Sequence, residues 1–367
     1  MKQKDICDII IENALKDWEK SMNNQDQREI WEIPKYSKSE INKAGFIIAN
    51  QSSTKEERDN ALIILNNWRA AHAYPLQVIC NNLRLRNPDA IVVQRLKRLD
   101  SITGKIERFP DMNLYRMQDL GGCRVIVDTI DQVYEAINKY KKSRIRHILK
   151  REYDYIQNPK NSGYRSYHMV YQFQSDKKET YNKNMLIEIQ FRTKLQHIWA
   201  TAVEMMGIYT KSQLKASIGD KDILRFFVLT SSVFAKMENM PISPNTNDDY
   251  NILISEIRQI DKKLNLVSRL SALSVAINHT NTDKIMKGKR YYVLILNYKK
   301  KSLRVRGFSP SQIELATKVY NDIEATNSLE IDAVLVSATS FDSLKAAYPN
   351  YFTDISQFVD MMRRILA

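Results

Sequence analysis

With 367 residues, 43% of them apolar, the chain can bury more than one core, and only nine glycines and nine prolines exclude a linker-dominated or repetitive chain. A formal net charge of +14 implies a polyanionic partner, since phosphates and the counterions they release reward clustered Lys and Arg. Three cysteines, Cys7, Cys80 and Cys123, are odd in number and far apart, which excludes a disulfide framework or a thiolate zinc site. They read as buried thiols in a reducing cytoplasm. The N-terminal stretch MKQKDICDIIIENALKDWEK breaks its apolar residues with acids at helical spacing, unlike a signal peptide or membrane span, so a cytoplasmic chain with no membrane partner is expected.

Residues 1–85 read as a helical layer with breaks at Ile33-Pro34 and Tyr74-Pro75, where the residue before proline leaves the α region. Beyond it the pattern predicts a helix over 90–105, a strand over 123–127, a helix over 131–140, and strands over 165–173 and 185–191. In MLIEIQFRT the two-residue period puts Ile187, Ile189 and Phe191 on one face and Glu188, Gln190 and Arg192 on the other. A helix over 197–209 follows, with Trp199 in the core. Two long helices fill 221–278. The last eighty residues predict strands at 290–297 and 303–307, a helix at 309–325, a strand at 331–337, and helices at 341–347 and 354–366. The fold class is therefore α/β or α+β. Four parts are expected: a helical layer (1–85), a mixed-sheet domain (86–215), a helical connector (216–285) and a small β-β-α-β-α module with its own core (286–367).

Basic residues are concentrated. Residues 84–108 hold seven Lys/Arg against three acids, and 138–151, NKYKKSRIRHILKR, hold seven and no acid. Lys141, Lys142 and Arg144 in the second stretch are candidate RNA phosphate contacts. In the first, Arg95, Lys97, Ser101 and Lys105 recur at about one-turn intervals, so on the predicted helix they form one flank that can lie along a triphosphate. Asp119 just before a strand and Glu188 on a polar strand face offer two carboxylates beside that cationic surface, a donor pair that suits Mg²⁺. Gly121-Gly122 lets a ligand approach the backbone closely. Arg124 and Arg192 present planar forks to phosphate oxygens. Tyr164, after Gly163 at a strand start, offers an aromatic platform for a base.

Four motifs in order, Arg95-x-Lys97-x-x-x-Ser101-x-x-x-Lys105, Asp119-Leu-Gly-Gly-Cys-Arg124, Gly163-Tyr-Arg-Ser-Tyr-His168 and Glu188-Ile-Gln-Phe-Arg192-Thr193, together resemble the synthetase domain of the RelA/SpoT family over roughly residues 90–210. The resemblance implies a nucleotidyltransferase-like mixed sheet flanked by helices, and a pyrophosphokinase that moves the β,γ-diphosphate of ATP to a 3′-hydroxyl. It implies that Arg95, Lys97 and Lys105, with Ser101 of the same motif, hold ATP. Asp119 would bind Mg²⁺, and Glu188 would share the metal and activate the hydroxyl. Tyr164 would stack on the acceptor base, with His168 lining the acceptor site; Arg192 is a further candidate there, and the forks of Arg124 and Arg192 suit the charge on the AMP leaving group. No His-Asp dipeptide is present, so the hydrolase half of bifunctional members has no candidate.

Tyr348-Pro-Asn-Tyr351 near the end resembles the regulatory element of a subgroup in which a toxic synthetase is fused to its own antitoxin and released by a phage capsid protein. That resemblance implies a pseudo-zinc-finger module whose Tyr348 and Tyr351 cover the ATP pocket, and tRNA 3′-CCA ends as acceptor. Guanine nucleotides are the alternative acceptor, giving (p)ppGpp. An inactive RNA-binding sensor is a third possibility, against which the complete set Arg95, Lys97, Asp119, Tyr164 and Glu188 argues.

Overall fold

The structure, a computed structural model, describes residues 31–50, 52–109, 111–210, 217–274, 288–297, 302–324, 331–338 and 355–367, with isolated positions between and before them. Helices α1 (Lys38–Ala49) and α2 (Lys55–Ala71) each start where the sequence supplies a capping box, Ser37 with Glu40 and Thr54 with Glu57. Helix α3 (Ala73–Arg86) follows with Pro75 inside its first turn, where a missing N–H costs no hydrogen bond. The Tyr74-Pro75 step thus starts a helix.

Residues 90–105, expected as one helix, form strand β1 (Ile91–Leu96) and helix α4 (Leu99–Arg108). The β-branched run Ile91-Val92-Val93 pairs with Ile126, Val125 and Arg124, and that packing outweighs the helix-like spacing of Leu96, Leu99 and Ile102. Strand β2 (Gly121–Val127) and helix α5 (Ile130–Lys141), which Thr129 caps, match expectation. Strand β3 (Ile148–Asp154) lies in the basic stretch and was not foreseen; β4 (Tyr167–Gln172), β5 (Leu186–Thr193) and α6 (Lys194–Tyr209) lie where predicted. Residues 221–278 were read as two helices, but α7 (Lys221–Met237), α8 (Tyr250–Leu264) and α9 (Leu266–Ser274) occupy them, because Asn265 takes a left-handed conformation that ends α8. Strands β6 (Tyr291–Asn297), β7 (Ser302–Phe308) and β8 (Ile331–Ser337), with helices α10 (Ile313–Glu324) and α11 (Ser356–Leu366), complete the chain.

Among the described residues the eight strands form one sheet in the order β3-β4-β5-β2-β1-β8-β6-β7. β2 and β5 run parallel; the other pairs are antiparallel. One face carries the main core, where α1, α2, α3, α5 and α10 pack on Val92, Val125, Ile187, Ile189, Phe191, Val293 and Leu335. A second core joins α6, α7, α8, α9 and α11, and holds the buried Trp199. The C-terminal strands do not keep a core of their own. Val293 and Leu335 enter the main core, while Tyr292, Leu294, Val334 and Val336 cluster with Val93 and Ile126 on the other face. Both faces of β6 and β8 are apolar, as strands buried on both sides require.

Candidate functional site

The face of the sheet opposite the main core carries the polar residues. Register aligns Arg95, Gly122, Glu188, Val170 and Arg151 in one row across β1, β2, β5, β4 and β3. The next row aligns Val93, Arg124, Gln190, His168 and Tyr153. Five strands therefore bring to one surface residues that are far apart in sequence. A cleft of about 400 Å³ opens there, lined by Arg95, Lys97, Asp119, Gly122, Arg124, Glu188 and Gln190, among others.

On its β1 side, Lys97 Nζ lies 2.7 Å from Asp119 Oδ2 and Lys105 Nζ lies 2.9 Å from Oδ1. Lys97 follows a strand and Lys105 rides on α4, so the strand-turn-helix hinge, and not one helical flank, joins the basic motif. Burial alone would raise the Asp119 carboxyl, but the charges and hydrogen bonds of Lys97 and Lys105 hold it down at about 2. Burial lowers the Lys97 ammonium, an effect Asp119 partly offsets. Ser101 is exposed, one turn before Lys105 on α4.

On the β5 side five side chains close a ring. Arg192 Nη2 donates to the Tyr164 hydroxyl at 2.6 Å and to Gln190 Oε1 at 2.9 Å. Gln190 Nε2 donates to Glu188 Oε2 at 2.7 Å. Glu188 Oε1 lies 2.9 Å from His168 Nδ1, and His168 Nε2 lies 2.8 Å from the Tyr164 hydroxyl. An ionised carboxylate only accepts, so His168 carries a proton on Nδ1 and turns Nε2 to the phenol. Burial opposes charge on Tyr164, but Arg192 and His168 override it and bring the phenol down to about 7. Against the same burial cost, His168 holds the Glu188 carboxyl below its ordinary value, and Tyr164 and Glu188 raise the His168 imidazole.

The loop carrying Tyr164 is fixed from below. Gly163 adopts φ +82, and a Cβ there would lie 2.9 Å from the Ser231 Cβ on α7. Arg165 is buried and donates to Ser231 Oγ at 3.1 Å and to the Ile156 carbonyl at 3.2 Å.

Arg95, Lys97, Lys105, Asp119, Arg124, Tyr164, His168, Glu188 and Arg192 are thus brought onto one surface. Lys141, Lys142 and Arg144 are not. They are exposed at the end of α5, and Lys141 pairs with Glu152 on the strand face turned from the cleft. Tyr348 and Tyr351 lie outside the described residues, as does Cys7, while Cys80 and Cys123 are buried free thiols. The sequence reading missed Gln190 as a site residue, although its alternation had placed it on the polar face. It also missed Arg151, Tyr153 and Tyr155 of β3 and its end; the period-2 pattern in REYDY was the available signal.

No cluster of three or more acidic, His or Cys side chains suited to a metal occurs among the described residues. The donor set of the cleft still fits Mg²⁺. Asp119 and Glu188 both line it and sense each other's charge, and a cation that keeps waters and takes phosphate oxygens needs only one or two carboxylates. No helix among the described residues is long and apolar enough to cross a membrane.

Residues 94–214 match the family model described as a region found in RelA / SpoT proteins. GTP pyrophosphokinase YjbM of Bacillus subtilis is 34% identical over 119 residues, covering 31% of this chain and 54% of that protein. GTP pyrophosphokinase YwaC of the same organism is 31% identical over 129 residues, covering 33% of this chain and 59% of that protein. The chain thus spans less than two thirds of the length of these relatives. A GTP pyrophosphokinase family protein from Streptococcus pneumoniae shares 25% identity over 52% of this chain and 91% of its own, with a TM-score of 0.38. Small alarmone synthetase 1 of Bacillus subtilis, bound to its product pppGpp, shares 24% identity over 45% and 90%, also at 0.38. The clustered side chains from Arg95 to Arg192 all fall inside the matched stretch, so the built site and the similarity to RelA / SpoT proteins rest on the same residues.

Proposed function

We propose that the chain is a pyrophosphokinase that transfers the β,γ-diphosphate of ATP to a 3′-hydroxyl. The observation that carries this is one cleft with Lys97 and Asp119, backed by Lys105, on one side and Glu188, backed by the ring of His168, Tyr164 and Arg192, on the other. The first group suits a triphosphate and its metal, and the second suits an acceptor. Bound Mg²⁺ would supply neutralisation of phosphate charge, held by Asp119 and Glu188. Arg95, Lys97 and Lys105 would bind the donor phosphates, the two lysines exchanging Asp119 for phosphate oxygens. Arg124 would face the AMP leaving group, and Glu188, oriented by His168 and Gln190, would accept the proton of the attacking hydroxyl.

For the acceptor, the +14 charge exceeds what a free nucleotide needs and favours the 3′ end of tRNA, whose modification would stop translation. The names of the two relatives favour GTP or GDP and (p)ppGpp as the second reading. In the first reading the C-terminal unit is an antitoxin in phage defence, opened by a capsid protein, with Tyr348 and Tyr351 over the donor side. Leu344 supports that placement: it is buried in one cluster with Val93, which lines the cleft, a few residues ahead of Tyr348.

Incubation of the full chain carrying Tyr348→Ala and Tyr351→Ala, which removes the proposed cover, with γ-labelled ATP and, separately, tRNA, GDP and GTP tests both readings. Label in tRNA is expected; label only in guanine nucleotides establishes the second reading, and no transfer to any acceptor overturns the enzyme assignment. Asp119→Asn and Glu188→Gln should each lower transfer to every acceptor by about 10²-fold or more, with the fold checked by circular dichroism. Full activity in both would remove the two-carboxylate mechanism.

A further inference from the structure

Strand β3 sorts its side chains by chemistry. A bulge between Leu149 and Arg151 shifts its register, so that Arg151 pairs with Val170 and Tyr153 with His168, in the same rows as Glu188 and Gln190. Arg151, Tyr153 and, just beyond the strand, Tyr155 therefore lie on the cleft face. The acids between them turn away and are used: Glu152 by Lys141, and Asp154 by the Tyr134 hydroxyl and the amides of Ile156 and Gln157.

The tyrosines form a continuous platform. The rings of Tyr153 and Tyr155 stack at 5.6 Å with planes 3° apart. Tyr155 meets Tyr164 edge-on at 6.2 Å and His168 at 5.3 Å. Cations border it on both sides: Lys160 Nζ lies 4.3 Å above the Tyr155 ring, and Arg151 Nη1 lies 3.3 Å from the Tyr153 hydroxyl. Both tyrosines are partly exposed, and both cations are exposed. A mononucleotide has one base and needs one ring. Three neighbouring aromatic rings edged with positive charge, with Glu188 the acid on the same face and held by His168 and Gln190, fit several bases and their phosphates.

We propose that Tyr155 and Tyr153 stack the nucleotides preceding the reacting one, so that this face of β3 is the docking surface for a single-stranded RNA 3′ end. The proposal rests on the RNA-acceptor reading and extends it to the strand upstream of the reactive nucleotide. Stacking is sequence-tolerant, so the surface holds the strand while the ring around Glu188 handles its terminus.

The test compares the trinucleotide CCA, bearing a free 3′-hydroxyl, with AMP as acceptors in the full chain. The parent should prefer CCA. In Tyr153→Ala the ratio of kcat/KM for CCA to that for AMP should fall about 5- to 150-fold, the range expected for a lost base stack. Tyr153→Phe should restore the ratio, whereas Tyr153→Leu, which refills the volume without a π-face, should not. Anisotropy of fluorescently labelled CCA, measured with a non-hydrolysable ATP analogue, should report the same order of affinities. An unchanged ratio in Tyr153→Ala, or rescue by Leu equal to Phe, overturns the docking surface while leaving the RNA acceptor standing. A parent that labels guanine nucleotides and no RNA overturns both.

Discussion

Tyr164 does more than offer a face to a base. Its hydroxyl is held by Arg192 at 2.6 Å and by His168 at 2.8 Å, and through His168 it reaches the carboxylate of Glu188. Two cationic partners outweigh the burial that would otherwise raise the phenol, and the result near 7 is a group that ionises around neutrality. Since the folded value lies below the unfolded one of about 10, the stability this group contributes is full above pH 10 and fades as pH falls through 7. Ultraviolet difference absorbance should show a tyrosine titrating near 7, a signal that Tyr164→Phe abolishes. Arg192→Met should move it upward, toward the ordinary value, because the first cation opposing burial is gone. Absence of any low-pH tyrosinate would mean that the ring of hydrogen bonds does not polarise the phenol.

At the level of elements, β2 shows how two adjacent glycines do different work. A Cβ at Gly121 would lie 2.8 Å from Ile187 Cδ1 in the core, whereas one at Gly122 would meet only the Glu188 carbonyl, at 3.8 Å. Gly121 is needed for packing, and Gly122 keeps the cleft floor open. Gly121→Ala should lower thermal stability by about 1–3 kcal/mol, as overpacking does, with ATP affinity little changed in the folded fraction. Gly122→Leu should leave the melting temperature nearly intact and weaken ATP binding at least tenfold, as calorimetry can read. Reversed results would place the cleft elsewhere. The glycines, the alternation of β5 and the strand at 331–337 were legible in the sequence, because each signal is local. β1 was not, since Ile91-Val92-Val93 becomes a strand only by pairing with β2, and β8 joins further along at Gln94 and Arg95. β3 was masked by its charge, and the hydrogen-bonded ring joins residues from Tyr164 to Arg192 that only the strand register brings together. The four motifs marked which residues gather, and the pairing of strands fixed how.

For the whole molecule, the C-terminal unit is stitched into the sheet that carries the cleft. β8 pairs with β1 at Gln94–Ser337 and Arg95–Val336, Arg84 donates to the Ser337 hydroxyl, and buried Arg69 on α2 donates to the Tyr320 hydroxyl at 2.7 Å. A chain ending before Arg290 would bare the β1 edge and the apolar residues that face β6 and β8. It is therefore expected to aggregate or to melt well below the parent, not to yield a freed, active enzyme, and size-exclusion chromatography with thermal melting reads this directly. A soluble, monomeric truncation with the parent's melting temperature would show the unit to be separable. Regulation by Tyr348 and Tyr351 is accordingly tested in the full chain, where Tyr348→Ala with Tyr351→Ala should raise basal activity. The same stitch has a consequence during synthesis. Arg84 and Ser337 stand 253 residues apart, so at about 5–20 residues per second the ribosome needs roughly 13–50 s after making one to reach the other. Until then β1 is an open sheet edge at Gln94 and Arg95, so every nascent chain carries an unpaired strand for that interval, exposed to edge-to-edge pairing with other chains.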